Sequence, residues 1–362
     1  MRVIEARNVN DAYREGLEFL TRYGVVQESR AGDVLVAPFP VTTMYHKPME
    51  RVLFDETRDA NPFFHLMESL WMLAGKNDAR WLDKFVSNFS ERFAEDDGLQ
   101  HGAYGFRWRN HFMLDGSVED LNWGFELDQL ERIITLLKNN PNDRRVVLQM
   151  WDPEIDLGQP KRDVPCNLCV LPRIVNNALD ITVFCRSNDI IWGAYGANAV
   201  HFSVLQEYLA ARIGVHIGHY YQVSNNYHAY LSIFTKKSNS LLKSNLWLNP
   251  YMFDEVVRVT PIVTHPEAFD EDLACFFNDP DNPPTKQEEY INPFFHQIAV
   301  PMFYAYKAWR DKDNKAMEDW FKLMPKYSDW HVACRHWVSR RKIKSESVGM
   351  NTASEANNAA SQ

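Results

Sequence analysis

The sequence predicts an α/β fold with a helical C-terminal portion. Three observations predict it: an almost wholly apolar segment of helix length at 61–75, consecutive β-branched and aromatic runs between 144 and 187, and amphipathic, helix-like texture after about residue 250. With 362 residues and 45% hydrophobic content, the chain has material for one large core, or for one core and a smaller appendage.

The elements follow in order. "NPFFHLMESLWMLAG" (61–75) opens on Asn-Pro, a cap and first turn, and closes on Gly75, so it reads as a helix buried nearly all round. "RRVVLQMW" (144–151), "CNLCVLPRI" (166–174) and "LDITVFCRS" (179–187) are separated by Asp, Pro and Asn clusters and read as consecutive strands. Phe202, Leu205, Leu209 and Ile213 recur at helical spacing until Gly214, and "IGHYYQV" (217–223) returns to strand character. "FNDPDNPPTKQEEYINP" is a loop, followed by two amphipathic helices in "AVPMFYAYKAWRDKDNKAMEDWFKLMP". The expected division is a catalytic region over 1–250, a helical extension over 251–343 and a disordered, Ser/Asn/Ala-rich tail over 344–362.

Composition excludes several classes of function. A net charge of −9 without basic clusters does not suit a surface that holds nucleic acid, and anionic partners would need a local arginine pocket. The first residues carry charges where a secretory signal would be apolar, and no run reaches the ~18 apolar residues of a membrane span. A soluble, cytoplasmic protein without membrane partners is expected. Five irregularly spaced cysteines fit reduced thiols better than a disulfide framework.

Several residues stand out chemically. In "DVPCNLC", Cys166 and Cys169 lack a second CxxC or HxxxH that would complete a zinc site, so no metal is expected. Their odd spacing in a strand-like run places them on opposite faces, one free to line a cleft and the other to pack in the core; two structural cysteines are the bland alternative. Glu68 is a carboxylate on an apolar helix, costly unless paired, protonated or in use. "CRSND" (185–189) puts Arg186, Ser187 and Asp189 just after a strand, where α/β proteins often bind anions. Arg144 and Arg145 suit a phosphate through their fork geometry, or form an exposed basic turn. "NNYHAY" sets His228 and Tyr230 on one face if extended.

Taken together and in this order, these segments resemble the thymidylate synthase family, over roughly residues 15–235. Glu68 and Trp71 match the family's buried acid and following tryptophan, "YGFRWR" its "YGxxWR" segment with Tyr104, "DRRVV" its twin-arginine strand, and Pro165-Cys166 its nucleophile. "RSNDIIWGAYGAN" matches "RSxDxxxG…N", and "HAY" matches "HxY". The resemblance implies a large twisted sheet with flanking helices, two of which pack back to back in a homodimer. It makes Cys166 the thiolate that adds to C6 of a pyrimidine nucleotide, with nearby arginines favouring its ionisation, and leaves Cys169 as core packing. It assigns the 5′-phosphate to Arg30, Arg186 and Ser187, with Arg144 and Arg145 reaching it from the partner subunit. By the same resemblance His228 and Tyr230 meet the sugar hydroxyl, Tyr104 and Glu68 move protons, and Asp189 faces the pterin of 5,10-methylenetetrahydrofolate, the co-substrate. Asn198, read across a turn "GAYGAN" one residue longer than the synthase "GLPFN", implies a uracil base, so dUMP.

Two departures bear on the product. Where synthases carry tryptophans that shield the folate, this chain has Ser90 and Phe93, and a helical region and polar tail replace the short closing peptide. Both favour hydration of the exocyclic carbon over hydride transfer. The reading is a deoxyuridylate hydroxymethyltransferase of the kind that serves modified viral DNA in a host cytoplasm. Its competitors are a thymidylate synthase, a deoxycytidylate or cytidylate hydroxymethylase, a nucleotide-binding protein without catalysis and a zinc module.

Overall fold

The computed structural model describes residues 1–114, 125–241 and 248–342; the tail expected at 344–362 lies outside them. Ten strands form: β1 (Arg2–Ala6), β2 (Val25–Gln27), β3 (Val34–Val36), β4 (Val41–Tyr45), β5 (Met113–Leu114), β6 (Phe125–Glu126), β7 (Leu148–Gln149), β8 (Asn167–Val175), β9 (Ala178–Asp189) and β10 (His216–Tyr230). Eight make one mixed sheet whose main path is β1-β4-β10-β9-β8-β7, while β3 pairs β10 and β2 pairs β3; β5 and β6 pair separately. The chain is therefore α/β, as its pattern predicts.

Strand β10 is longer than "IGHYYQV" because it is paired throughout: β9 runs parallel along one side, and β4 and then β3 run antiparallel along the other. The "NNYHAY" segment is thus held extended, with His228 opposite both Val36 and Asp189. Strand β7 is shorter than the expected 144–151. It lies at the sheet's edge and pairs only through Leu148 and Gln149, and before it Arg145 donates from N and Nε to Asp143 Oδ1, a local turn that keeps 143–145 off the ladder.

Helices α1 (Val9–Tyr23), α2 (Pro62–Leu73), α3 (Phe89–Phe93), α4 (Tyr104–Arg109), α5 (Gln129–Asn139), α6 (Pro153–Asp156), α7 (Asn198–Ile213) and α8 (Leu231–Leu241) accompany the sheet. Asn61 caps α2 by accepting from the Phe64 N–H, Pro62 fills its first turn, and Gly75 follows it with φ +67°. Helix α7 stops at Gly214, whose φ of +90° suits glycine. Both are buried almost all round and pack on one another. After residue 250 come α9 (Phe269–Phe276), α10 (Val300–Arg310), α11 (Asn314–Lys322) and a helix through 329–342. They close over α2: Tyr306 and Trp337 pack on Phe63, and Arg340 and Arg341 pair with Asp59.

A buried ion pair ties these regions together. Arg51 meets Glu207 of α7 at 2.6 Å with both side chains at most 3% exposed, and Glu207 Oε1 also accepts from the N–H groups of Ile262 and Val263. Removing one partner strands a buried charge, so Arg51→Ala should cost about 3–5 kcal/mol. Arg14→Ala, at the more open Arg14–Glu18 pair of α1, should cost about 1 kcal/mol or less. Urea unfolding midpoints of the two variants, compared with wild type, check the contrast.

Candidate active site

The loop that carries Cys166 is fixed by its backbone. Cys166 immediately precedes β8, and the Arg186 N–H of β9 donates to its carbonyl at 2.9 Å. The Arg186 side chain donates from Nε to the Pro165 carbonyl and from Nη2 to the Val164 carbonyl, each at 2.9 Å, and its guanidinium lies over the Trp151 ring. From the start of α4, the Tyr104 hydroxyl accepts from the N–H groups of Cys166 and Asn167 at 3.2 and 3.3 Å. With both lone pairs engaged, its own proton is the one it can offer outward.

Burial pushes the Cys166 thiol above its ordinary range; Arg186 pulls it down, and Asp163 adds to the rise. The guanidinium favours the thiolate, as expected, but burial outweighs it. The two cysteines do not obey strict strand alternation. Asn167 pairs with Cys185 and Cys169 with Phe184, so Leu168 is an extra residue, a bulge that breaks the regular alternation on which opposite faces depend. Both side chains are half-buried, and Cys169 lies in the strand ladder beside Gln149.

Glu68, on α2, points at α7, where His201 Nε2 stands 2.9 Å from its Oε2, with both side chains largely buried. His201 is three residues after Asn198 and so shares its helix face. The longer turn before Asn198 is a π-helix over Ile190–Ala197, in which the Asn198 N–H reaches back to the Gly193 carbonyl. A π-turn stores one extra residue without breaking the helix, so Asn198 still points inward. Its Oδ1 accepts from Asn167 Nδ2 and its Nδ2 donates to Asn188 Oδ1, both at 3.1 Å. Gln222 donates to Asn167, and Asn188 to Ser224, which extends the network into the sheet.

Asp189 caps the π-helix: its Oδ1 accepts from the N–H groups of Ile191 and Trp192, while its buried Oδ2 has no hydrogen-bond partner among the described residues. Burial raises its carboxyl above the usual range. The β9–β10 register places Ser187 beside Asn226 and Asp189 beside His228, whose ring lies edge-on to Tyr230 at 5.9 Å. Arg30 sits at the exposed turn between β2 and β3. Arg144 and Arg145 are exposed at the sheet's edge, where Arg145 pairs with Asp143 and Arg144 lines a concavity of about 920 Å³ over the sheet face. Within one chain these three arginines are thus not part of the network around Cys166.

Ser90 and Phe93 lie on α3. The Ser90 hydroxyl donates to Asp83 and Phe93 packs on Phe89, so the small residue is tied back to its own segment. His201, Asn167 and Asn188 belong to the site although the sequence reading did not select them; the spacing of His201 from Asn198 was a legible signal. Among the described residues, no group of three or more His, Cys, Asp or Glu side chains is arranged to hold a metal ion.

The family model for thymidylate synthase matches residues 11–255. The chain is similar to a deoxyuridylate hydroxymethyltransferase of Pseudomonas phage M6, 44% identical with 96% of each chain covered. It is also similar to the enzyme of the same name from Bacillus phage SP01, 35% identical over 55% of this chain and 51% of that one. A putative thymidylate synthase of Methanosarcina mazei is 26% identical over 63% of this chain and 89% of its own.

Of the charges acting on Cys166, the guanidinium of Arg186 is the one that favours ionisation. Arg186→Leu should therefore move the pH profile of Cys166 alkylation by iodoacetamide to more alkaline values. Peptide mass spectrometry of the alkylation rate from neutral to alkaline pH measures the shift; an unmoved profile would contradict this account of the site's electrostatics.

Proposed function

The chain belongs to the thymidylate synthase family, and on that premise we propose that it is a deoxyuridylate hydroxymethyltransferase. It transfers a one-carbon unit from 5,10-methylenetetrahydrofolate to C5 of dUMP and hydrates it to 5-hydroxymethyl-dUMP. The observation that carries this reading is that the similarity to the phage M6 enzyme spans 96% of the chain, and so includes the helices beyond residue 255 as well as the site. A role in supplying modified viral DNA within a host cytoplasm follows. No helix among the described residues is long and apolar enough to cross a membrane.

In this reading the Cys166 thiolate adds to C6, which makes C5 nucleophilic toward the one-carbon unit. Arg186 and Ser187 hold the phosphate, Arg30 closes from its turn, and Arg144 and Arg145 reach across from the partner of a homodimer. That arrangement gives purpose to the exposed sheet-edge position of the two arginines. His228 and Tyr230 meet the sugar, while Tyr104 and Glu68 handle protons around C5 and O4. The unpartnered Oδ2 of Asp189 is an acceptor suited to the N–H donors of a pterin.

Asn198 selects the base. Its amide offers a donor to O4 and an acceptor to N3–H of uracil, and Asn167 and Asn188 hold it in orientation. With Ser90 bound to Asp83 instead of a tryptophan covering the folate, water has access to the exocyclic carbon.

The reaction in heavy-oxygen water should give 5-hydroxymethyl-dUMP carrying the label, with no dihydrofolate formed; unlabelled dTMP with stoichiometric dihydrofolate would make the protein a synthase. Asn198→Asp should shift preference from dUMP toward dCMP, since a mispaired buried hydrogen bond costs about 1–3 kcal/mol. The ratio of kcat/KM values for the two nucleotides reads that shift.

A further inference from the structure

Hydration needs a base to take a proton from water, and the residues assigned so far leave that task open. Glu68 is committed to the proton transfers around C5 and O4, and Tyr104 has its lone pairs engaged by backbone N–H groups. One more carboxyl stands beside the nucleophile, on Asp163, three residues before Cys166.

Its position is built rather than incidental. Gln100 Nε2 donates to Asp163 Oδ2 at 2.7 Å. Gly102 packs so closely that a Cβ there would lie 2.8 Å from the same oxygen, which any side chain would displace. The preceding Arg162 staples this loop to the segment after α3: its Nη1 donates to the Ala94 carbonyl at 2.8 Å, its N–H to Glu95, and it pairs with Asp96 at 2.8 Å. On the other side, Arg186 holds the carbonyls of Val164 and Pro165. Asp163 is thereby fixed at the seam between the Ser90/Phe93 segment and Cys166, and it keeps part of its surface open. Its charge acts on Cys166 and Tyr104, and that of Glu68 acts on it.

We infer that Asp163 is the general base for the water that adds to the exocyclic carbon. The inference rests on the hydroxymethyl reading. The water oxygen bonds to the exocyclic carbon, the electron pair of the C5–methylene double bond moves onto C5, C4 and O4, and the cleaved O–H proton passes to the Asp163 carboxylate. The enolate then re-forms the C5–C6 double bond and expels the Cys166 thiolate, to which Asp163 returns the proton. Burial, with a contribution from Glu68, holds the Asp163 carboxyl above the usual range against Gln100, His101 and the Gly102 N–H. A carboxylate of raised proton affinity is the better base toward water.

The test uses single turnovers of the full chain with C5-tritiated dUMP and methylenetetrahydrofolate. Tritium release reports every step up to the exocyclic methylene, and 5-hydroxymethyl-dUMP reports the hydration. Because both are read on the same folded molecules, their ratio is insensitive to loss of folded protein. Asp163→Asn should lower the ratio of hydroxymethyl product to tritium by about 10²–10⁴-fold, and added 2-mercaptoethanol should capture the stalled intermediate as a thioether of the nucleotide. Asp163→Glu, which keeps the carboxyl, should recover part of the ratio. An unchanged ratio in the Asn variant, or a Glu variant no better than Asn, overturns the role of Asp163 alone. Wild-type formation of dTMP and dihydrofolate overturns the hydroxymethyl reading and this inference with it.

Discussion

A carboxyl group on a helix that is apolar on its other faces must find a polar partner, and that requirement sets how α2 and α7 meet. Glu68 finds His201 at 2.9 Å. A slide of one turn, about 5.4 Å, would set the carboxylate against Leu205, which is fully buried. Contact between the two side chains therefore favours the observed register of the two central helices over that slide. Fixing that register also fixes where Asn198 points, because it lies on the same face of α7 one turn earlier. The aim of Asn198 and the contact of Glu68 with His201 thus share one packing decision.

Much of this was legible in the sequence where local pattern and tertiary demand agree. The α2 boundaries follow from Asn61, Pro62 and Gly75, and the stop of α7 from Gly214. The strands from 166 onward follow from their β-branched runs. Legibility failed where partners far along the chain decide. The sequence around 144–151 has strand character, yet it forms only two paired residues because it reaches the sheet's edge and Asp143 captures Arg145. The bulge at Leu168 arises from the pairing with β9, so counting residues between the cysteines does not by itself fix their faces. Sequence motifs located most of the groups near Cys166 but not His201, whose significance depends on a carboxylate 133 positions away.

The segments beyond residue 250 press on α2 and α7. Phe63, on α2, is covered by Tyr306 and Trp337, and Glu207, on α7, is held by backbone from 262 and 263. Both central helices are thus braced by the same part of the chain. A scaffold of this kind supplies preorganisation, since the side chains of a site keep their geometry when the backbone that carries them is held elsewhere.

The π-turn at Ile190–Ala197 separates two properties that usually change together in a protein's history, the length of a loop and the aim of the residue that follows it. An amino acid inserted into a continuous helix would rotate the residues beyond it by about 100° and turn Asn198 away from Asn167 and Asn188. Wound into a wider turn, the additional residue is absorbed as slack, and α7 keeps its phase. Descent with insertion is then compatible with an unaltered aim of Asn198. The surplus backbone, carrying the exposed Trp192 at its outer side, becomes material that selection can reshape while the placement of Asn198 is left alone.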